Sequence, residues 1–261
     1  RQGQGQRGAI VGLGAGRAGS KGIKRMRYQG GKSRIAKLIA GKIRELYPTA
    51  TEIWEPFCGG GAVTLELAKE GFRVHASDSH EDLILMWQAL MRGETAPFAD
   101  VTEAEYAALR TAAPSARRGA VGFGASFGGG WWAGFARTKN RVFIQESHRN
   151  CGRLKGLPIT FNHTDYATAA PNNVLVYADP PYVGTKPYKN TPTFDHAAFW
   201  SWVRHRQGPT FVSELTGPDD IEIVWRKQHK SQNASNSPTT KNTSKVIERE
   251  ERLYHWPGTD K

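Results

Sequence analysis

Helical and strand-like segments alternate along residues 33–91, and this alternation constrains the fold more than any other feature of the chain. Apolar residues recur at helical spacing in 33–46, 62–70 and 81–91, and they form short runs typical of strands in 52–57 and 72–77. A strand followed by a helix and then by a second strand is typical of a parallel sheet with right-handed crossovers. The sequence therefore predicts an α/β fold.

The alternation is interrupted between residues 92 and 157. This stretch contains one predicted helix near 102–110 and then a mixture of glycine, aromatic residues and arginine. Beyond it we predict a helix at 194–206 and strands at 158–161, 173–178, 209–215 and 246–255. We therefore expect one catalytic domain of residues 25–91 and 158–261, into which residues 92–157 are inserted. The polar stretch 228–245 is expected to form a hairpin tip or a loop.

Positive charge is concentrated in two segments of the chain. There are 36 Lys and Arg against 24 Asp and Glu, a net charge of +12, and residues 1–44 hold 12 of the basic groups and no acidic one. Residues 106–155 hold nine Lys or Arg and one acid, Glu146. Such segments favour a polyanionic partner such as nucleic acid, with a solvated basic tail and loop as the open alternative. Residues 1–24 are expected to be a flexible basic tail.

Other features exclude several classes of protein. No run of about 18 apolar residues is present, so no membrane-spanning helix is predicted. The two cysteines, Cys58 and Cys151, are too few for a disulfide framework or a cysteine-built zinc site, and the histidines lack metal-ligand spacing. We therefore expect a cytoplasmic protein that binds no metal and no membrane, with Cys58 as a packing residue.

A glycine turn follows the first predicted strand. The sequence Cys-Gly-Gly-Gly at 58–61 would let a ligand approach the backbone closely near a helix N-terminus. Asp78 closes the next strand, where a carboxylate can accept hydrogen bonds from ribose hydroxyls. These features indicate an adenosine-containing ligand, whereas a tight turn with a capping aspartate is the alternative. The dinucleotide-binding fingerprint fits poorly, because Thr64 stands at the position of its third glycine.

The tetrapeptide Asp179-Pro180-Pro181-Tyr182 is the most specific motif in the chain. It follows the apolar run 174–178, and two prolines at that point must turn the backbone out of the sheet. The Asp179 carboxylate and the Pro180 carbonyl are then both free to accept hydrogen bonds, beside the aromatic face of Tyr182. Such a site suits an exocyclic amino group on a flat ring.

These motifs, in this order, resemble those of the Dam-type (class alpha) DNA adenine-N6 methyltransferases, which phages and prophages often encode. The resemblance spans about residues 26–215 and rests on the segment 26–32 (MRYQGGK), the glycine loop 55–61 (EPFCGGG), Asp78 and the motif 179–182. The segment 211–214 (FVSE) matches a later family strand more loosely. The resemblance implies a Rossmann-like methyltransferase sheet with an inserted DNA-recognition region.

The same resemblance assigns residues to S-adenosylmethionine and to catalysis. The catalytic residues it implies are Asp179, Pro180 and Tyr182. The cofactor-binding residues it implies are Tyr28, Lys32, Phe57, Gly59, Gly61, Asp78, Asp165 and Tyr166. The implied reaction transfers the sulfonium methyl to the N6 amino group of an adenine that is flipped out of the duplex and stacked on Tyr182.

The remaining expectations concern DNA and the competing functions. Candidate phosphate or base contacts are Arg117, Arg118, Arg137, Lys139 and Arg141. The partner is expected to be double-stranded DNA, the protein a monomer, and a companion restriction endonuclease is allowed by the resemblance. Three alternatives stay open: an amino-methyltransferase acting on cytosine or RNA, a nucleotide-dependent oxidoreductase, and a non-catalytic DNA-binding protein.

Overall fold

A seven-stranded sheet organises the protein, which is described here by a computed structural model over residues 28–136, 144–145, 148–149, 154–168, 171, 173–184, 193–232 and 246–259. Its strand order is β3-β2-β1-β4-β5-β7-β6. The strands are β1 (Glu52–Glu55), β2 (Arg73–Asp78), β3 (Ile159–His163), β4 (Leu175–Ala178), β5 (Thr210–Glu214), β6 (Glu222–Gln232) and β7 (Val246–Trp256). Strands β1 to β5 pair in parallel, and β7 runs antiparallel to both β5 and β6. The α/β prediction is therefore confirmed.

Six α-helices lie with both ends inside the described residues. They are α1 (Ala36–Leu46), α2 (Ala62–Lys69), α3 (Glu81–Arg92), α4 (Glu103–Leu109), α5 (Ala116–Gly124) and α6 (His196–Arg204). Side chains cap several of them: the Thr102 hydroxyl accepts from the Glu105 N–H, and the Asp195 carboxylate accepts from the Ala198 N–H. Within the described residues, no helix is long and apolar enough to cross a membrane.

Helices cover both faces of the sheet, because neighbouring strand residues point to opposite sides. On β1, Ile53 belongs to the core beneath α1 and α3, whereas Trp54 belongs to the core beneath α6. On β4, Tyr177 belongs to the core beneath α1 and α3, and Val176 belongs to the core beneath α6. Strands buried on both faces are the reason that the parallel segments read as short continuous apolar runs.

Two elements were not predicted from the sequence. Strand β6 was missed, and it includes residues 228–232 of the stretch expected to be a hairpin tip or loop, while 233–245 lie outside the described residues. Helix α5 was missed because glycines give a weak helical pattern. The structure explains those glycines: a Cβ on Gly119 would lie 2.1 Å from the Asp82 carbonyl oxygen, and one on Gly122 would lie 2.2 Å from the Trp131 ring.

The segment 92–157 does not form a core of its own in its described part. Tyr106 on α4, and Val121 and Phe123 on α5, are buried in the same cluster as the side chains of α1 and α3. The expected tail at 1–24 lies outside the described residues. Helix α1 begins at Ala36, three residues after the predicted start.

Candidate active site

The carboxyl ends of three neighbouring strands bring the predicted motifs together. Strand β1 pairs with β2 on one side and with β4 on the other. The glycine turn follows β1, Asp78 ends β2, and Asp179 follows β4 directly. Because parallel strands end at one edge, the three sites lie at the same edge of the sheet, which is where open α/β sheets bind ligands.

Left-handed backbone conformations shape the glycine turn. Gly59 and Gly61 have φ values of +45° and +65°, which side chains other than glycine rarely adopt. Gly61 is also the N-cap of α2. A side chain also stabilises the turn: the Trp87 indole N–H donates a hydrogen bond to the Gly59 carbonyl at 3.0 Å. Gly59 and Gly60 are half-buried, whereas Gly61 and the first turn of α2 are buried.

Tyr28 lies directly against this turn. A Cβ on Gly60 would lie 2.6 Å from the Tyr28 Cβ, and one on Gly59 would lie 2.9 Å from the Tyr28 Cε1. On its other side the Tyr28 ring contacts Phe123 of α5, with centroids 5.2 Å apart. The glycines are thus required by the close approach of Tyr28 as well as by the turn itself.

Asp78 bridges the ends of β1 and β2. Its carboxylate accepts a hydrogen bond from the Gly59 N–H at 3.1 Å and another from the His80 N–H at 3.0 Å. Burial raises the pKa of Asp78 to about 6, against the lowering effect of these donors. Asp78 therefore also holds the glycine turn in place, a structural role close to the alternative that the sequence left open.

Lys32 connects the N-terminal segment to the motif that follows β4. Its ammonium lies 2.7 Å from Asp179 Oδ1 and 3.6 Å from Glu251 Oε1, and its side chain is only 8% exposed. The same ammonium lies 4.1 Å from the centroid of the Tyr182 ring. The Tyr182 hydroxyl donates to Glu251 Oε1. The proposed catalytic residues Asp179 and Tyr182 thus form one cluster with Lys32 and Glu251.

The electrostatic balance of this cluster is set by burial. Burial raises the pKa of Asp179 to about 6; Lys32 opposes the rise and Glu251 adds to it. Burial also raises the pKa of Glu214 to about 7, although the Leu215 N–H at 2.7 Å and the Val183 N–H at 3.4 Å donate to its carboxylate. Asp179 therefore loses its charge as the pH falls through about 6.

Sequence reasoning missed Glu251, and it did not assign a role to Glu214. Glu214 lay inside the looser family segment 211–214, at the end of β5. Glu251 lies in the run 248–252 (EREER), and the composition of this run does not distinguish one acidic residue from another. The one available signal was strand alternation, which places Glu251 on the same face as the buried Leu253.

The predicted adenine-side residues form an aromatic cluster beside the glycine loop. The Phe57 ring lies 5.3 Å from Tyr166 and 5.8 Å from Phe194 and from Phe199. Asp165 is exposed, and its carboxylate accepts a hydrogen bond from the Ala167 N–H at 2.8 Å. Phe57 and Tyr166 are thus brought together, whereas Asp165 points to the surface and closes a local turn.

The predicted DNA contacts at Arg117 and Arg118 are engaged within the protein. Arg117 pairs with Glu105 at 2.8 Å and donates to the carbonyls of 97, 99 and 100. Arg118 pairs with the buried Asp82 and donates to the carbonyls of 109 and 110. The guanidinium groups of both arginines are thus engaged within the protein. Arg137, Lys139 and Arg141 lie outside the described residues.

The tryptophan pair of the glycine-rich segment packs against α4 and α5. Trp131 contacts His80 and Phe123 at centroid distances of 4.3 and 4.7 Å, and Trp132 contacts Tyr106 at 4.7 Å. Trp132 also has a φ of +47°. Both tryptophans are thus packed within the fold. Cys58 is likewise buried and free of disulfide bonds.

Solved structures with a similar fold include several methyltransferases. One is a candidate RNA methyltransferase from Pyrococcus horikoshii. It shares 10% identity and a TM-score of 0.44 over 91% of this chain and 89% of that one. The precorrin-6y C5,15-methyltransferase of Geobacter metallireducens GS-15 shares 7% identity and a TM-score of 0.34, over 86% of this chain and 87% of that one. The glycopeptide N-methyltransferase MtfA complexed with sinefungin shares 10% identity and a TM-score of 0.31, over 84% of this chain and 70% of that one. No curated protein matches the sequence significantly.

A family model matches the N-terminal part of the described chain. It is the model of the D12 class N6 adenine-specific DNA methyltransferases, and the match covers residues 28–113. This stretch begins at Tyr28 and includes Lys32, the glycine turn and Asp78, which the fold brings to one edge of the sheet. Over these residues the chain is similar to the D12 class of N6 adenine-specific DNA methyltransferases.

Proposed function

We propose that the enzyme binds S-adenosylmethionine in the crevice at the carboxyl ends of β1 and β2, and transfers its methyl group to the N6 atom of an adenine flipped out of double-stranded DNA. The observation that carries this proposal is the juxtaposition of Asp179 and Tyr182 with the glycine turn and Asp78 at one sheet edge. One half of that crevice suits an adenosine ligand and the other half suits a planar amino group.

The residues around the glycine turn fit the cofactor. Glu55, at the end of β1, is buried, and its Oε2 atom has no hydrogen-bond partner among the described residues. Burial raises the pKa of Glu55 well above its usual range, so a ligand with a positive amino group would stabilise its charged form. We infer that Glu55 faces the amino acid part of the cofactor, that Asp78 lies by the ribose, and that Phe57 and Tyr166 flank the adenine. Tyr28, Gly59 and Gly61 would form the rest of the pocket.

Asp179 and Pro180 would activate the target nitrogen. The lone pair of an adenine amino group is delocalised into the ring, which makes the nitrogen a weak nucleophile. Hydrogen bonds from its two N–H groups to the Asp179 carboxylate and the Pro180 carbonyl would localise that lone pair. The localised lone pair would then be able to displace the methyl group from the sulfonium sulfur, and a proton of the methylated amino group would leave for solvent. When bound, the cofactor supplies the electrophilic methyl group.

DNA would approach the same edge of the sheet. A base inside the duplex cannot reach Asp179, so the proposal requires base flipping, with the exposed ring stacked on Tyr182. We retain Arg137, Lys139 and Arg141 as proposed phosphate or base contacts, and the segment 92–157 as the proposed recognition region. We further infer that the enzyme acts as a monomer; a companion restriction endonuclease stays an unassigned partner.

Labelled S-adenosylmethionine and unmethylated genomic DNA provide the direct test. After incubation, the DNA is digested to nucleosides and the labelled product is identified. We expect label in N6-methyladenine. Label in N4-methylcytosine, or label only when RNA replaces DNA, would favour the competing amino-methyltransferases, and no transfer at all would favour the non-catalytic DNA-binding alternative.

A further inference from the structure

The Lys32 ammonium covers both of the groups that the proposed reaction offers to the target base. It lies 2.7 Å from Asp179 Oδ1, the proposed acceptor for the amino group, and 4.1 Å from the centroid of the Tyr182 ring, the proposed stacking face. Its side chain is only 8% exposed, so it fills this corner of the crevice. The target base and the ammonium therefore compete for one position.

Displacing this ammonium requires another anion to receive it. A buried ammonium that loses its carboxylate partner without a replacement is strongly destabilised. Glu251 Oε1 already lies 3.6 Å from Lys32 Nζ, and the Glu251 side chain is only 7% exposed. A small movement of the lysine side chain toward β7 would thus exchange one carboxylate for the other.

Two further contacts hold Glu251 in place for this exchange. Its Oε1 atom accepts the hydrogen bond from the Tyr182 hydroxyl. Its backbone lies within the β6–β7 ladder, where Glu251 is paired with Lys227. The other nearby acid, Glu214, is less suited, because two backbone N–H groups already donate to its carboxylate.

We propose that Glu251 is a positioning residue of the active site, which receives the Lys32 ammonium when the target amino group takes its place at Asp179. At the same time Glu251 keeps the Tyr182 ring in position for stacking through the tyrosine hydroxyl. This inference rests on the proposed function, because it presumes that a base enters the space between Asp179 and Tyr182.

The test compares Glu251→Gln with Glu250→Gln, a matched control on the same strand. Glutamine keeps an oxygen that can accept from Tyr182 but removes the charge that would receive Lys32. Glu250 pairs instead with Arg252 at 2.7 Å, away from the cluster. Wild-type enzyme first serves to map the methylated site. An oligonucleotide carrying 2-aminopurine at that site then reports base flipping by fluorescence, and turnover and cofactor affinity are measured in parallel.

We expect Glu251→Gln to lower kcat/KM for DNA and the apparent flipping equilibrium on the order of tenfold, with unchanged affinity for S-adenosylmethionine. Glu250→Gln should behave as wild type. In a Lys32→Met background, Glu251→Gln should have no further effect on flipping, because no ammonium needs a new partner. If Lys32→Met does not fold, Lys32→Gln replaces it in this cycle.

Two results would overturn the inference while leaving the proposed function intact: Glu251→Gln behaving like Glu250→Gln, or its flipping defect persisting in full without Lys32. The second result would mean that Glu251 acts on Tyr182 alone. Wild-type enzyme in the same assay separates these from a wider failure. If it forms no N6-methyladenine, the proposed function is wrong and this inference is wrong with it.

Discussion

Lys32 and Asp179 form a 2.7 Å ion pair that joins the segment before α1 to the loop after β4. The pair spans the sheet edge, so the N-terminal motif that contains Lys32 and the motif at 179–182 meet at a single charged contact. Glu251 on β7 lies 3.6 Å from the same ammonium and ties the antiparallel end of the sheet to this contact. The chemistry proposed for Asp179 therefore depends on three separate parts of the chain.

Asp179→Ala should lower methyl transfer by at least about 100-fold, the usual effect of losing one group that stabilises a transition state. Affinity for S-adenosylmethionine should change little, since the glycine turn and Asp78 are unaffected. Labelled methyl transfer and calorimetric cofactor binding measure the two effects. The exposed Asp219 provides the control, with Asp219→Ala expected to retain full activity. Normal turnover by Asp179→Ala would refute the mechanism.

The pH dependence of kcat/KM for DNA should show an acid limb near 6, the pKa to which burial raises Asp179. The carboxylate must be ionised to accept the amino hydrogens, so activity should fall as the pH decreases through that value and reach a plateau above it. Initial rates at saturating cofactor across a pH series measure the limb. A limb near about 4, the ordinary value for aspartate, would show that the buried ion pair does not govern the reaction.

Asp78→Ala should weaken cofactor binding and also lower the stability of the fold. The carboxylate accepts hydrogen bonds from the N–H groups of Gly59 and His80, so its removal loosens the glycine turn. We expect a loss of roughly 1–3 kcal/mol in cofactor affinity and a lower melting temperature. Asp78→Asn, which keeps one oxygen acceptor, should restore part of both. Unchanged cofactor affinity in Asp78→Ala would contradict the assignment of this crevice.

Alanine substitution should lower cofactor affinity at Gly60 and raise the stability of the fold at Gly41. In Gly60→Ala the new Cβ would lie 2.6 Å from the Tyr28 Cβ, so Tyr28 must move and cofactor affinity should fall. Gly41, inside α1, has no atom within 4 Å of such a Cβ, and Gly41→Ala should raise the free energy of unfolding by about 0.5–1 kcal/mol. Denaturant unfolding and cofactor titration of both variants check this contrast.

Arg118→Ala should destabilise the fold by roughly 3 kcal/mol, because it leaves the buried Asp82 carboxylate without its partner. Arg141→Ala should instead leave stability unchanged and reduce the slope of log affinity for DNA against log salt by about one. Thermal unfolding and DNA binding across a salt series separate the two behaviours. If Arg118→Ala melts as wild type and changes the salt slope, Arg118 is a phosphate contact after all.

Local sequence patterns were enough to predict the parallel strands β1 to β5 and the motifs at their carboxyl ends. Strands buried on both faces must be short apolar runs, and a turn that approaches a ligand needs glycine, so both features are visible in a few consecutive residues. Gly59, Asp78 and Asp179 were predicted for this reason. Once parallel pairing is inferred, their meeting at one sheet edge follows from topology alone.

Tertiary structure alone decided how the charges pair and which glycines are helical. The ion pair of Arg118 with Asp82 could not be predicted, because Asp82 lies on a different helix, α3, and the sequence around a basic residue does not indicate its partner. Helix α5 is stabilised by its close approach to the Asp82 carbonyl and the Trp131 ring, a contact that no local propensity encodes. Glu251 reached the active site in the same way: its charge is one of several in a polar run, and only the antiparallel pairing of β7 with β5 carries it to Lys32 and Tyr182.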